Sequence, residues 1–166
     1  GTVWLLTEHD GAIRVVTLPQ KNYTTKSDIY STKSGLFPAD HFYQVYQDKA
    51  GNHWLLTDNG LGMIRPGEQQ PVNYFVETKG KQDGMNQAFY AVRECEDDIC
   101  FASDRGRIWC YQKQGGEFRL LELPTKARIT SIHTVSNGNT VVTTDSDGFF
   151  LCNLKTNKHT HYSPVT

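Results

Sequence analysis

No apolar run in this sequence approaches the roughly 18 residues that a bilayer-spanning helix needs; the runs present are strand-sized. An excess of either charge is missing as well. Seventeen Lys and Arg stand against 18 Asp and Glu, so there is no broad basic field to hold phosphates, and neither nucleic acid nor a membrane surface is an expected partner of this segment. No long window sustains a 3.6-residue apolar period, which leaves helix a minor element. Catalytic signatures are absent too. The six His are scattered, and there is no nucleophile elbow, no His-Glu-x-x-His and no phosphate-cradling glycine loop. The segment is therefore expected to be non-catalytic and to carry no cofactor or metal. The four Cys lack zinc-ligand spacing. No leader peptide is legible, as for an excised mature segment.

What the sequence has instead is repetition. Gly51-Asn52-His53-Trp54-Leu55-Leu56-Thr57-Asp58-Asn59-Gly60-Leu61 has a near copy in Gly1-Thr2-Val3-Trp4-Leu5-Leu6-Thr7, with Trp4 and Trp54 50 positions apart. Weaker copies run from Asp98 to Gly106 and from Gly138 to Gly148. Four copies at roughly 40–50-residue spacing point to a solenoid, propeller or array. Each copy reads as a short strand between turns, and consecutive apolar residues such as Trp54-Leu55-Leu56 ask for cover on both faces. A second recurring strand precedes it: Phe42 to Tyr46 matches Phe89 to Arg93 at a constant offset of 47, and Ile129 to His133 takes that place last. Third strands follow at 12–16, 61–65, 107–112 and 149–154, and fourth strands around 72–76, 117–121 and 158–162. Four-stranded antiparallel units of this length are the blades of a β-propeller.

The expected fold is thus all-β, a propeller segment over residues 1–166, with blades at about 1–34 (incomplete), 35–83, 84–124 and 125–166. The first blade begins at its second strand, giving 15 strands in all. A ring of four such blades would leave one sheet edge unpaired, so a piece of a larger propeller is expected; a small ring closed in another way is the alternative.

Gly35-Leu36, Phe42 to Tyr46, Asp48-Lys49-Ala50-Gly51-Asn52-His53-Trp54 and Thr57-Asp58-Asn59-Gly60-Leu61 together resemble the two-component regulator propeller repeat, in which a Gly-Leu loop precedes a strand, an Asp-x-x-Gly-Asn-x-Trp turn and Thr-x-x-Gly-Leu. Gly84-Met85, Phe89 to Val92 and Ser103 to Gly106 repeat the pattern with losses. The resemblance implies part of the periplasmic sensor region of a Bacteroides-type hybrid two-component system, continuing into further blades and domains of a homodimeric receptor whose histidine kinase lies elsewhere. It also implies a glycan-derived ligand. Two other readings remain: a structural or protein-interaction module without its own small-molecule site, and a propeller lyase.

Ligand contacts are sought in the loops before first strands and between second and third strands, which emerge on one face of a propeller. Asp40, His41, Asp58, Asn59, Asn86, Gln87, Arg105 and Arg128 supply the donors and acceptors that an oligosaccharide, neutral or acidic, requires. Trp4 and Trp54, at one position of successive strands, read as packing between blades. Asp145-Ser146-Asp147-Gly148 lacks the later ligands of a calcium loop and reads as a turn. If the third blade turns at Asp97-Asp98 and at Arg105, Cys95, Cys100 and Cys110 fall in one row across the sheet. A disulfide is permitted in an oxidising compartment, and free buried thiols are the expectation.

Overall fold

The computed structural model describes residues 2–7, 9–17, 25–76, 87–95, 97–135 and 138–163. The elements are fifteen strands: β1 (Thr2–Leu6), β2 (Ala12–Thr17), β3 (Thr25–Tyr30), β4 (Phe42–Gln47), β5 (His53–Thr57), β6 (Leu61–Ile64), β7 (Val72–Tyr74), β8 (Phe89–Glu94), β9 (Asp98–Ser103), β10 (Arg107–Gln112), β11 (Phe118–Glu122), β12 (Ile129–Thr134), β13 (Thr140–Thr144), β14 (Phe149–Asn153) and β15 (Lys158–Tyr162). They form one three-stranded meander, β1-β2-β3, and three four-stranded antiparallel meanders, β4 to β7, β8 to β11 and β12 to β15. These are the blades of a β-propeller. The chain divides into two compact units, Gly1–Ala88 and Phe89–Thr166, each holding two sheets.

In the first unit Ala12 and Tyr30 of the three-stranded sheet pack with Phe37, Phe42, Leu55 and Ile64 of its neighbour. Trp54 is fully buried, its ring stacked on Tyr74 at 6.1 Å. Trp4 is half-buried and reaches across to His53, 5.5 Å between ring centres. Both indoles therefore serve packing. Consecutive apolar residues do mark covered strands: Trp54 to Thr57 and Leu61 to Ile64 are buried on both faces. β7 ends at Tyr74, short of the expected Val76, because Phe75 takes a left-handed φ of 56° that breaks the extended backbone.

An ion pair within the three-stranded sheet is hydrogen-bonded to the loop that follows β6. Arg14 lies opposite Asp28 across β2 and β3, with Nη2 2.6 Å from its carboxylate, and Arg14 Nη1 donates to the Glu68 carbonyl at 3.0 Å. Gln69 Nε2 donates to Asp28, and the Tyr30 hydroxyl donates to the Gln69 carbonyl at 2.9 Å. Burial, against the opposing pull of Arg14, pushes the Tyr30 phenol up to about 12, so it serves as a neutral donor.

The second unit has its own core, in which Cys100, Ala102, Ile108 and Leu121 meet Ile129, Val142 and Phe150. The expectation of free thiols is overturned here. Cys100 and Cys110 face one another across β9 and β10 and form a disulfide, leaving Cys95 and Cys152 free. Nor does Cys95 share their row. The Cys95 N–H donates to the Asp98 carbonyl at 2.8 Å, which shifts the hairpin so that Arg93 stands opposite Cys100.

Candidate functional site

The repeat builds its loop face from a small set of backbone bonds. In three of the four repeats a Thr closes its own turn: Thr7, Thr57 and Thr144 donate through Oγ1 to the carbonyls of Gly11, Gly60 and Gly148 at 2.8, 2.8 and 2.9 Å. The Gly N–H is then free to reach the next segment. Gly11, Gly60 and Gly106 donate to the carbonyls of Asp40, Gln87 and Ala127 at 3.1, 2.9 and 3.1 Å, in each case the residue two before a first strand. Asp58 and Asp145 add a second bond, to the carbonyls of His41 and Arg128 at 3.2 and 3.0 Å. Turn and lead-in are thus held side by side wherever the repeat recurs.

In the first unit this places Asp40, His41, Asp58 and Asn59 around one cleft of about 560 Å³, with His9 and Thr32. That volume lies within the range of about 300–1,000 Å³ usual for small-molecule sites. Not all its polar groups face outward. The Asp40 carboxylate accepts from the Thr32 N–H at 2.9 Å and from the Thr32 hydroxyl at 2.5 Å, and Asn59 Nδ2 donates to the Pro38 carbonyl at 2.8 Å. Those two side chains brace the loop. The exposed Asp58 carboxylate and the His41 ring, tilted against Tyr43 at 4.7 Å, are what the cleft presents. Asn59 also borders a wider open groove of about 1260 Å³ lined by Thr32, Leu36, Phe37, Asn73 and Phe75. Gln87 joins the same face through its carbonyl on Gly60, and Asn86 lies outside the described residues.

Arg105 and Arg128 belong to the second unit. Arg105 is exposed and holds a left-handed φ of 56°. The Arg128 guanidinium lies 4.9 Å over the Tyr90 ring, and its Nε is 3.6 Å from Asp145. The Tyr90 hydroxyl donates to Asp104 at 3.2 Å. Sequence reasoning missed Tyr43 and Tyr90. Each sits where the register of its first strand slips, between Phe42 and Gln44 and between Phe89 and Ala91, and Thr130 holds the same place between Ile129 and Ser131. The constant offset between Tyr43 and Tyr90 was the available signal; the bulge that re-aims them leaves none in composition.

No family model and no curated protein matches the chain. Solved structures do. One is the extracellular domain assigned to the hybrid two-component system BT4673 of B. thetaiotaomicron, at TM-score 0.76 and 17% identity, covering 99% of this chain and 21% of that one. A second is the corresponding domain of BT3049 from the same organism, at TM-score 0.67 and 12% identity, covering 99% and 20%. Virginiamycin B lyase from Staphylococcus aureus is also similar, at TM-score 0.71 and 18% identity, over 100% of this chain and 53% of the enzyme. The chain spans about a fifth of the length of the two extracellular domains. At these identities the likeness is one of fold: the chain shares the all-β, four-stranded-blade architecture of those extracellular domains.

Proposed function

We propose that this chain is part of the extracytoplasmic sensor region of a hybrid two-component system and that its loop face takes a glycan-derived ligand. The observation that carries the reading is the cleft of the first unit. Loops from two sheets are pinned together there by repeat-encoded backbone bonds, and they leave Asp58 and His41 facing solvent. The fold likeness to extracellular domains of such systems supports the receptor context. Asp58 is an acceptor for sugar hydroxyls, His41 a donor or acceptor, and the adjoining groove gives room for further rings. Binding would bias the receptor through differential affinity for its arrangements, with the signal passed towards a kinase elsewhere in the receptor.

The lyase reading draws on the fold shared with virginiamycin B lyase. Among the described residues the only metal-sized group is Asp98 with Cys100 and Cys110, whose sulfurs are joined to each other. An interaction module without a ligand of its own is tested by the same experiment. Isothermal titration of the sensor region against a panel of neutral and acidic oligosaccharides should give saturable binding that weakens in Asp58→Ala and His41→Ala. Absence of binding by every glycan overturns the proposal.

A further inference from the structure

We infer that the loop face of the second unit is an anion-selective subsite, in which Arg105 and Arg128 hold the carboxylate of an acidic saccharide such as a uronate. The inference rests on the glycan reading above and specifies the ligand's charge. Its starting point is how little of the Arg128 guanidinium the protein uses. The Arg128 Cζ lies 4.9 Å over the Tyr90 ring and Nε faces Asp145, while among the described residues no hydrogen bond engages its two Nη groups. The Tyr90 ring is itself held by its hydroxyl on Asp104. The contact of Arg128 with Asp145 is 3.6 Å, longer than a hydrogen bond, and the two side chains are 47% and 37% exposed. Water screens such a pair, so it competes weakly with a ligand. What Asp145 does firmly is brace the backbone: its N–H donates to the Arg128 carbonyl at 3.0 Å and its carboxylate accepts from the Arg128 N–H at 3.2 Å.

Arg105 is brought alongside by the repeat itself. The Gly106 N–H donates to the Ala127 carbonyl at 3.1 Å, so the residue before Gly106 and the residue after Ala127 lie on adjoining segments. Arg105 is exposed, and among the described residues no partner is found for its guanidinium. With Lys126, also exposed, three cations share these segments with Asp104, Asp145 and Asp147, the last lying 3.3 Å from His161. The exposed Arg105 guanidinium and the Nη groups of Arg128 suit a carboxylate, which accepts paired N–H bonds on both oxygens. Hydroxyl groups stand close by for the rest of a sugar. Thr130, two residues on from Arg128, shares a hydroxyl bond with Thr143 at 2.9 Å, and Ser131 does so at 2.6 Å.

The test is isothermal titration of this chain with a galacturonate trisaccharide and with a neutral galactose trisaccharide. The uronate is expected to bind about tenfold more tightly, with the advantage shrinking as salt rises. Arg105→Gln and Arg128→Gln should each remove most of that advantage, while Arg65→Gln, which deletes the same charge from the first unit, should leave it intact. Far-UV circular dichroism checks that the variants fold, and the exposed Arg105 gives the safer variant. A uronate advantage that survives both substitutions overturns the inference. Equal binding of the two trisaccharides, unchanged in the arginine variants, overturns it while leaving the glycan reading standing. Failure of every saccharide to bind sinks both.

Discussion

The indole N–H of Trp54 donates to the buried carboxylate of Asp48 at 2.8 Å. The same carboxylate accepts from the backbone N–H and the side-chain amide of Asn52, both at 2.9 Å, while Gly51 turns at a φ of 86° and donates to the Asp48 carbonyl. The Asp-x-x-Gly-Asn-x-Trp pattern is thus one hydrogen-bonded object. Asp48 is charged, 6% exposed and satisfied three times by residues the motif supplies.

Asp48→Ala should therefore cost about 2–4 kcal/mol, because it orphans the buried Trp54 donor as well as deleting three charge-assisted bonds. Asp48→Asn, which keeps an acceptor oxygen, should cost less. Urea denaturation followed by tryptophan fluorescence measures both, and equal costs would show that the acceptor oxygen kept by Asn recovers nothing without the carboxylate's charge.

The disulfide between Cys100 and Cys110 closes a short loop, ten residues apart in sequence. The loop-entropy estimate for such a crosslink is about 3 kcal/mol, so a reductant should lower the midpoint of thermal unfolding and Cys100→Ala/Cys110→Ala should reproduce the loss. Thiol titration in denaturant without reductant should count two reactive groups, Cys95 and Cys152. In the native state Cys152 should react far more slowly, since burial pushes its thiol up to about 11. Four reactive thiols in the unreduced, denatured chain would refute the pairing.

Much of the architecture was legible because it is encoded locally and repeatedly. The Trp54 strand, the Gly60 turn and the Phe42 and Phe89 strands each carry their own pattern, and the strand count followed from them. Register was less accessible. The row expected of Cys95, Cys100 and Cys110 failed because one backbone bond, Cys95 to Asp98, sets the hairpin, and a shift of that kind moves every cross-strand partner. Site residues were the least accessible. Asp40 and Asn59 look like ligand groups in sequence, yet they spend their side chains on Thr32 and Pro38, and only folded neighbours decide that. The Arg14–Asp28 pair gave no sign at all, because its value depends on Glu68 and Gln69 arriving from the loop after β6.

His53 gives a pH dependence with a definite sign. Burial first, and the Arg14 cation second, hold its imidazole below the ordinary 6.5, with Asp48 opposing. As pH falls through 6.5, the unfolded chain takes up a proton that the folded one resists. The stability contributed here is complete above that pH, declines from there to the native-state value, and is constant below it. Thermal unfolding between pH 7.5 and 5 should show this loss in the parent, and the His53→Gln variant should lose less over the same window. Parallel profiles would assign the acid sensitivity to other groups.

Gly60 and Gly67 separate two causes of the same backbone preference. Both are left-handed, with φ of 92° and 83°. A Cβ on Gly67 meets nothing within 4 Å, so Gly67→Ala should cost only the conformational penalty of about 1–2 kcal/mol. A Cβ on Gly60 would lie 2.5 Å from the Tyr74 carbonyl oxygen, a backbone atom that cannot swing aside, and displacing the turn would also break the Gly60 bond to Gln87. Gly60→Ala should thus cost about 3 kcal/mol or more and loosen the loop face, weakening any glycan affinity measured there. Chemical denaturation of the two variants, with titration of the one that remains folded, distinguishes them. If both lose the same stability, close packing behind the Gly60 turn is not what holds the turn to the next lead-in.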